Sequence, residues 1–295
     1  MKRILKYCLM IGLVVAGYGK ASAGSETGMW AGLPETLSPP APDVTDVPEE
    51  FTVALMSYNA GAFRKYRDEL GHFSYPEIAE IIRTVGPAVV GLNETDWGGL
   101  RTFGDHQASK LASALGKKWG SSFFPAAYQW YGNSIVWDKA VLGRGGKPER
   151  IVLEKTDGKE VRSVGIIEFP SFIFCETHLD HASETDRLSA VDKITAWAAA
   201  RPVAKPIFLA GDMNARPDSE TIARFRENWI QLTGDEFTYP SDEPDRCIDY
   251  FFIYRNGCEE NVELLEAGRI SPEDLPAVSK ASDHCPVWIK ILFHS

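Results

Sequence analysis

Five clusters of acidic, amide and histidine side chains lie along this 295-residue chain, each beside a short apolar run. They are Asn59, Glu94, residues 177–180 (THLD), residues 211–214 (GDMN) and residues 282–284 (SDH). Asp and Asn are common turn formers, so one such cluster carries little information. Five in one chain are hard to explain as turns. They indicate polar side chains gathered in loops at the ends of buried strands.

The residue types in these clusters indicate their chemistry. Carboxylate and amide oxygens dominate, and the cysteine spacing fits no zinc pattern, so Mg²⁺, Mn²⁺ or Ca²⁺ is the favoured ion. Carboxylates that hold a hard cation, together with two histidines, are the groups needed to attack a phosphate ester. The metal polarises a phosphoryl oxygen, an Asp activates water, and a cationic imidazole stabilises the developing charge.

The elements that must position these clusters are read from the apolar pattern after residue 51, where no further domain boundary is evident. Strands are predicted at residues 52–58, 88–92, 133–137, 161–169, 172–176, 206–210, 248–254, 262–266 and 286–293. Helical spacing of apolar residues predicts helices at 78–85, 108–115 and 188–198. Many strands, few helices and no repeats predict an α+β fold in which sheets pack face to face with helices outside.

The polar clusters and neighbouring segments, taken in order, resemble the endonuclease/exonuclease/phosphatase superfamily. That group includes pancreatic-type deoxyribonuclease, abasic-site endonucleases, neutral sphingomyelinases and inositol-polyphosphate 5-phosphatases. The matching segments are residues 56–59, 92–94, 131–134, 177–180, 211–215, 248–250 and 282–286. Residues 101–102, 105–107 and 238–241 also resemble the secreted bacterial branch. The resemblance covers residues 52–293 and implies a four-layer α/β sandwich with two packed mixed β-sheets flanked by helices.

The resemblance implies a metal site. Glu94 is expected to be the principal ligand, with Asn59 beside it and Asp283 as a second carboxylate on the metal side. Mg²⁺ or Mn²⁺ is the expected ion, and Ca²⁺ is also compatible with oxygen ligands. The segment Leu-Asn-Glu at 92–94 replaces the commoner Leu-Gln-Glu, and Gly61 stands where some nucleases carry a further acid. The number of metal ions therefore stays open.

The resemblance also implies the catalytic residues. Asp212 and Asn214 are expected to orient or deprotonate the attacking water and to hold the phosphate. His284, oriented by Asp249, is expected to bind the phosphate or act as general base. His178 is expected on the leaving-group side.

Other polar and aromatic residues have two interpretations each. Asn133 is expected to orient His178 and assist substrate binding, although capping a turn explains it nearly as well. Arg162 matches a basic position of the family and is equally explained by a structural ion pair, as is Arg187. Trp97 and Trp130 could serve as stacking platforms near the site, but packing is the favoured interpretation. His181 and the remaining histidines have no motif support for catalysis.

The predicted function is that of an exported, divalent-metal-dependent phosphoesterase that cleaves phosphodiester or phosphomonoester bonds. The alternative is a non-catalytic binding module or surface scaffold that retains the fold. Nucleic acid, a phospholipid head group and a sugar phosphate all remain open as substrates. A net charge of −10 without a basic stripe argues against holding nucleic acid by charge neutralisation alone. No stable protein partner is implied, and a monomer is expected.

The first 23 residues predict a cleaved signal peptide. Lys2, Arg3 and Lys6 precede an apolar run, and small residues at 21–23 form the cleavage site. A membrane anchor is the alternative, but the run is shorter than the roughly 20 residues that a span needs. Residues 24–50, with five prolines, predict a linker, and residues 51–295 the enzyme domain. The expected location is periplasmic or extracellular, and cleavage would change the net charge from −10 to −14.

Four cysteines remain after the predicted cleavage: Cys175, Cys247, Cys258 and Cys285. An even number in an exported protein permits disulfides. Buried small apolar residues are the favoured interpretation, and the pairing stays open.

Overall fold

The structure, a computed structural model, describes residues 50–63 and 73–294. Within those ranges it contains twelve strands: β1 (Glu50–Asn59), β2 (Val89–Asp96), β3 (Trp119–Tyr128), β4 (Tyr131–Asp138), β5 (Glu149–Leu153), β6 (Arg162–Glu168), β7 (Ile173–His178), β8 (Ile207–Asp212), β9 (Trp229–Gln231), β10 (Asp249–Tyr254), β11 (Val262–Arg269) and β12 (Val287–His294). The same ranges contain six α-helices: α1 (Tyr75–Arg83), α2 (Gln107–Leu115), α3 (Lys139–Leu142), α4 (Glu184–Ala199), α5 (Glu220–Asn228) and α6 (Ala277–Ala281). The predicted signal peptide and linker lie outside the described residues, except that Glu50 begins β1. None of the helices described has the length and hydropathy needed to cross a membrane.

The described strands form two six-stranded mixed sheets. The strand order is β11-β12-β1-β2-β4-β3 in the first sheet and β5-β6-β7-β8-β10-β9 in the second. Each sheet has one parallel pair at its centre, β1 with β2 and β7 with β8, and antiparallel pairing elsewhere. The two parallel pairs face each other across the space between the sheets.

Apolar residues fill three layers that hold the sandwich together. The central layer lies between the sheets and contains Leu55 of β1 and Phe208 of β8. A second layer packs the first sheet against α1, α2 and α6, and a third packs the other sheet against α4 and α5. Helices, two sheets and helices therefore form four layers, which confirms the predicted fold class.

Strand alternation decides which side chains face the central layer. In β8, Phe208 and Ala210 face the other sheet, whereas Ile207 and Leu209 face the helices. The same alternation brings Asp212, the next residue of the inward set, to the edge of the central layer. We call the side chains of a strand that face the central layer its inward-facing row. The polar residue at the end of such a row is thus continuous with the apolar core.

All nine predicted strands and all three predicted helices are present in the described residues. The sequence did not predict β3, β5 or β9, and each of these lies at the edge of its sheet. Edge strands bury less apolar surface than central strands, so their hydrophobic signal is weaker. β3 also contains Pro125, which is compatible with an edge strand because it removes one ladder donor. The sequence also missed α3, α5 and α6, which are short helices.

The four cysteines of the described region are free thiols. Cys175, Cys247 and Cys285 are buried, as the favoured interpretation expected, whereas Cys258 is half-buried.

One carboxyl group, that of Glu176 on β7, lies inside the central layer. Its side chain is fully buried and accepts a hydrogen bond from Ser57 Oγ of the opposite sheet at 2.9 Å. Its Oε2 has no hydrogen-bond partner among the described residues. A Cβ at Gly91 would lie 1.8 Å from that oxygen, so a glycine is required opposite. Burial raises the pKa of Glu176 well above its ordinary value, with Asp249 adding to the effect.

We predict that Glu176→Gln stabilises the protein at neutral and alkaline pH. The pKa of Glu176 is higher in the folded protein than its ordinary value of 4.5. The free energy of unfolding of the wild type therefore falls as pH rises from 4.5 towards the folded-state pKa. The amide never ionises, so its advantage should grow by at most about 1.4 kcal/mol per pH unit. Thermal melts at about pH 5 and about pH 8 measure the difference, with exposed Glu266→Gln as control. A variant less stable than wild type at the higher pH would contradict this assignment.

Candidate active site

The inward-facing rows of β1, β7, β8 and β10 end in polar side chains that meet at one edge of the sandwich. Asn59 ends β1, His178 ends β7, Asp212 ends β8 and Asp249 begins β10. Each of these four side chains is at most 5% exposed. The carboxyl ends of parallel strands are a common location for binding sites in layered folds.

Asp212 is the centre of the cluster. Its Oδ2 accepts a hydrogen bond from Asn59 Nδ2 at 3.0 Å, and it lies 3.4 Å from His178 Nε2 and 3.6 Å from His284 Nε2. Its Oδ1 accepts from the backbone N–H of Asn214 at 2.8 Å. Burial raises the pKa of Asp212 above its ordinary value, while the charge of His284 opposes that rise. The raised pKa makes this carboxylate a stronger base.

Asn93, whose motif was recognised in the sequence without a role for the residue, positions Asp212 from the opposite sheet. Its Oδ1 accepts from the backbone N–H of Asp212 at 2.9 Å, and its Nδ2 donates to the carbonyl of Thr177 at 2.9 Å. Nδ2 also lies 3.1 Å from Asn133 Oδ1. One amide side chain therefore joins the ends of β2, β4, β7 and β8. The Asn in place of the commoner Gln at this position was the sequence feature that could have drawn attention to Asn93.

His284 pairs with a carboxylate on its far side. Its Nδ1 lies 3.0 Å from Asp249 Oδ2, which also accepts from Thr238 Oγ1 at 2.5 Å. Burial opposes a charge on the imidazole, but Asp249 and Asp212 outweigh it and raise the pKa of His284 above its ordinary value. His284 is therefore favoured as a cation with a fixed ring orientation.

His178 has the opposite environment. Its Nδ1 lies 3.3 Å from Nη1 of Arg162, a buried guanidinium. A guanidinium donates and never accepts, so Nδ1 must be the acceptor and the ring proton must be on Nε2, towards Asp212. Burial, and then the positive charge of Arg162, hold the pKa of His178 well below its ordinary value. His178 is therefore a neutral N–H donor in this site.

A cavity of about 440 Å³ opens above these residues. Its lining includes four of the predicted catalytic residues, two of the predicted metal ligands and three arginines: His178, Asp212, Asn214, His284, Glu94, Asp283, Arg162, Arg216 and Arg246. We call it the catalytic cavity. Arg216 and Arg246 were not expected from the sequence. His181, which had no motif support, lines the cavity too, with its Nδ1 3.4 Å from Arg162 Nη2.

A bulge in β2 directs Glu94 into the catalytic cavity. The register with β4 shifts between Leu92 and Thr95, so two residues oppose one partner, and Glu94 has φ of 55°. The sequence analysis placed Glu94 after a strand, whereas it lies inside β2. A bulge of this kind re-aims a side chain without ending the strand, which is why Asn93 and Glu94 both reach the site.

Two groups of residues in the site could hold a metal ion. Ligand atoms of Asp212, Asp249 and His284 lie within 4.8 Å of one another. In this group, however, the carboxylates already engage the two nitrogens of His284. Glu94 and Asp283, both half-buried on the cavity lining, offer hard oxygen ligands that fit Mg²⁺ or Mn²⁺.

Three predicted residues have contacts that differ from their expected ones. Asn59 donates from Nδ2 to Asp212, and its Oδ1 accepts from the N–H of Gly61 at 3.1 Å, so it lies in the Asp212 network. Asn133 donates to the carbonyl of Ser163 at 2.8 Å, which ties the two sheets together rather than contacting His178. Asn214 lines the catalytic cavity with φ of 48°, and its side chain donates to the carbonyl of Leu179 at 3.0 Å.

Comparison with known proteins identifies the fold and the family. The sequence profile of the Endonuclease/Exonuclease/phosphatase family matches residues 56–284. The chain belongs to this family. The match confirms the resemblance inferred from the ordered motifs. Members of the endonuclease/exonuclease/phosphatase family are generally dependent on divalent metals. No curated protein matches the chain in sequence.

Solved structures of this family share the fold. A mannosyl-6-phosphatase of Bacteroides thetaiotaomicron has a TM-score of 0.60 and 17% identity, over 82% of this chain and 100% of that one. A family member from Beutenbergia cavernae has a TM-score of 0.64 and 19% identity, over 83% of this chain and 72% of that one. ANGEL2, a 2′,3′-cyclic phosphatase, has a TM-score of 0.62 and 15% identity, over 83% of this chain and 96% of that one. At such identities these structures establish the fold alone.

We predict that His178 of this family member stays neutral, with its proton on Nε2, across the ordinary pH range. Arg162→Met should remove the donor that faces Nδ1 and the charge that lowers the pKa, so that the pKa rises and the other tautomer becomes populated. Nitrogen-15 NMR of histidine-labelled protein reports both properties.

The matched control for this measurement is Arg187→Met. Arg187 donates to the carbonyl of Asp180 on the loop that follows His178 and to Thr221 Oγ1, and among the described residues it has no hydrogen bond to the ring. A wild-type spectrum with the proton on Nδ1 would show that the tautomer assignment is wrong.

Proposed function

We propose that this chain is an exported, divalent-metal-dependent phosphoesterase that cleaves its substrate by metal-assisted attack of water. The observation that carries the proposal is the arrangement around Asp212. A buried carboxylate with a raised pKa lies within 3.6 Å of a neutral imidazole and of a cationic imidazole, at the floor of a cavity lined by three arginines. Family membership supports the same reaction class.

The phosphate of the substrate is held by the cationic side of the catalytic cavity. His284 and the guanidinium groups of Arg162, Arg216 and Arg246 provide positive charge and hydrogen-bond donors for phosphoryl oxygens. Each guanidinium can donate to phosphoryl oxygens, although Arg162 also pairs with Glu160 at 3.2 Å and Arg246 with Asp245 at 2.6 Å. Asp249 keeps the His284 ring in place and favours its charged form.

Asp212 acts as the general base. It removes a proton from the attacking water as the oxygen approaches phosphorus, and Asn59 keeps its Oδ2 oriented through a 3.0 Å hydrogen bond. His178, with its proton on Nε2, donates to the oxygen on which negative charge develops. Asn214, on the same cavity wall, helps to orient the water or the phosphate. The neutral donor and the cation therefore both lie within 3.6 Å of the base, Asp212 Oδ2, so all three can act on one phosphoryl group.

Glu94 and Asp283 are the residues that would hold the divalent cation, with Asn59 as a neighbour. A bound Mg²⁺ or Mn²⁺ would supply charge neutralisation and polarisation of a phosphoryl oxygen. A Cβ at Gly61 would lie 3.2 Å from Asp283 Oδ1, so a larger side chain there would disturb this acid.

The proposal specifies the bond that is cleaved rather than the organic group attached to it. The named structural neighbours include a sugar phosphatase and a cyclic phosphatase, and both act on phosphate esters. A monomer without a stable protein partner stays a prediction.

Export is a separate part of the proposal, and it rests on the charged, apolar and small-residue pattern of residues 1–23. Terminal sequencing of protein recovered from outside the cytoplasm should begin at Gly24. Recovery of soluble cytoplasmic protein with an intact Met1 would contradict it.

We predict that EDTA abolishes hydrolysis of phosphate esters and that Mg²⁺ or Mn²⁺ restores it. Glu94→Gln should weaken Mn²⁺ binding by about tenfold or more, because an amide is a poorer ligand than a carboxylate for a hard cation. Titration of Mn²⁺ by electron paramagnetic resonance measures binding without turnover, with exposed Asp274→Asn as control.

The same titration separates the two groups of candidate ligands. Loss of Mn²⁺ binding in Asp249→Asn, with normal binding in Glu94→Gln, would show that the metal lies in the Asp212, Asp249 and His284 group. Full activity in metal-free buffer would contradict the metal dependence itself.

We predict that His284→Ala lowers kcat/KM by about 10²–10⁴-fold, the range for losing a positioned catalytic group, because the site loses the cation that binds the phosphoryl oxygens. Asp212→Asn should give a comparable loss, because an amide keeps the shape but cannot accept the proton of water. The double variant should be scarcely worse than either single variant, since residues that act as a unit are not additive. His284→Ala should cost about 1–2 kcal/mol of stability, because Asp249 loses its imidazole partner and keeps only the hydrogen bond from Thr238.

Steady-state kinetics of these variants measure kcat/KM, and thermal melts measure their stability. Exposed His106→Ala is the histidine control. Near wild-type turnover in His284→Ala, with an unchanged melt, would show that this histidine has a structural role.

A further inference from the structure

A second cavity, of about 260 Å³, adjoins the catalytic cavity. We call it the outer cavity. Glu94, Arg162 and His181 line both cavities, so the two spaces share one boundary. A phosphate held above Asp212 would therefore have its organic group next to the outer cavity. The catalytic residues described above do not account for the rest of the outer cavity lining.

The remaining lining of the outer cavity is mostly aromatic. Tyr128 ends β3 and Trp130 lies in the turn between β3 and β4, and their rings stack with centroids 5.2 Å apart and planes 9° apart. Tyr128 is 55% exposed and Trp130 is 36% exposed. Tyr131, next in the chain, also lines the cavity but is buried. Paired aromatic rings with this exposure lose water from their faces when a ligand covers them.

Arg101 holds the aromatic wall in place. Its guanidinium lies 5.2 Å from the Trp130 ring and 5.0 Å from the Tyr131 ring. Asp96 fixes it with two hydrogen bonds of 2.7 Å. A Cβ at Gly99 would lie 3.0 Å from the Trp130 ring, which shows how closely the backbone packs against it. The wall is therefore preorganised, which reduces the entropy lost when a ligand binds.

Polar groups surround the aromatic wall. Arg162 is 5% exposed, lines both cavities and lies with its Nη1 3.2 Å from Glu160 Oε2. Glu160, on the same cavity, supplies acceptors, and Arg101 supplies donors. Hydroxyl groups can meet both, because each hydroxyl donates and accepts. Arg101 and Arg162 on the lining are already paired with Asp96 and Glu160, so the outer cavity has no excess of positive charge for a second phosphate, which argues against a polynucleotide.

We propose that the outer cavity binds the sugar ring of a phosphorylated sugar through the Tyr128 and Trp130 rings, with the phosphate in the catalytic cavity. This substrate class rests on the proposed phosphoesterase function. The aromatic faces contact the C–H face of the ring, and Glu160 and Arg101 bind its hydroxyls. An acyl chain does not fit, because the lining contains no aliphatic side chain.

Kinetics with paired substrates test the proposal. Wild type, Trp130→Ala and Trp97→Ala are compared on hexose 6-phosphate, on a nucleoside 5′-monophosphate and on glycerol phosphate, which has no ring. Trp97 is the matched control because it is the same residue type, is 39% exposed, and lines neither cavity. Trp130→Ala should raise KM for hexose 6-phosphate about tenfold and leave glycerol phosphate unchanged, and Trp97→Ala should affect neither.

A binding measurement separates failure of this proposal from failure of the proposed function. Saturation-transfer NMR with free hexose reports ring protons in contact with the protein, and their signal should fall several-fold in Trp130→Ala and persist in Trp97→Ala. Hydrolysis of glycerol phosphate and hexose 6-phosphate with equal efficiency, without saturation transfer, would overturn the sugar site and leave the phosphoesterase intact. A preference for the nucleotide would overturn the sugar assignment. Hexose binding that requires Trp130, without hydrolysis of any ester, would support the site and contradict the proposed activity.

Discussion

The site depends on one constraint: polar side chains buried between two apolar sheets must be hydrogen-bonded across the space that separates the sheets. An unpaired buried polar group costs about 1–3 kcal/mol, so the polar ends of the inward rows persist because they pair with one another. Asn93 carries most of this pairing, since it contacts the backbone of Asp212 and Thr177 and the side chain of Asn133. Because these contacts join both sheets, the position of the Asp212 carboxylate depends on how the sheets pack.

Two histidines in this site receive opposite protonation states from their neighbours. His284 lies against two carboxylates and is favoured as a cation, whereas His178 lies against Arg162 and is favoured as a neutral donor. Groups whose environments push their pKa values apart are suited to different steps of one reaction. Asp212 lies between the two rings and can act as a base while a donor and a cation remain available. Burial strengthens the effect of these neighbours, so the two histidines differ in charge, whereas solvent-exposed histidines would not.

Along the strands that reach the site, the side chains facing the central layer change from apolar in the core to polar at the cavity. On β7, Phe174 belongs to the apolar core, Glu176 lies above it with a raised pKa, and His178 reaches the catalytic cavity. Glu176 marks the boundary: burial disfavours its ionised form, and an apolar replacement would leave the Ser57 hydroxyl without this hydrogen-bond acceptor. This gradient explains why a site of many charges can be attached to a well-packed core.

The sequence by itself determined the family, the fold class, the central strands and the identity of the side chains around Asp212, because strand alternation and ordered motifs are local properties of the chain. It did not reveal Asn93 as a positioning residue, the partnership of Arg162 with His178, or the outer cavity beside Trp130. Asn93 and Asp212 lie 119 residues apart, so their contact exists only through the packing of one sheet on the other. The hydrogen bonds of Asn133 were not foreseen for the same reason, since its partners are Asn93 on the neighbouring strand and Ser163 on the opposite sheet. Hydrogen-bond partners between distant segments, and the pKa values that follow from them, were decided by tertiary structure.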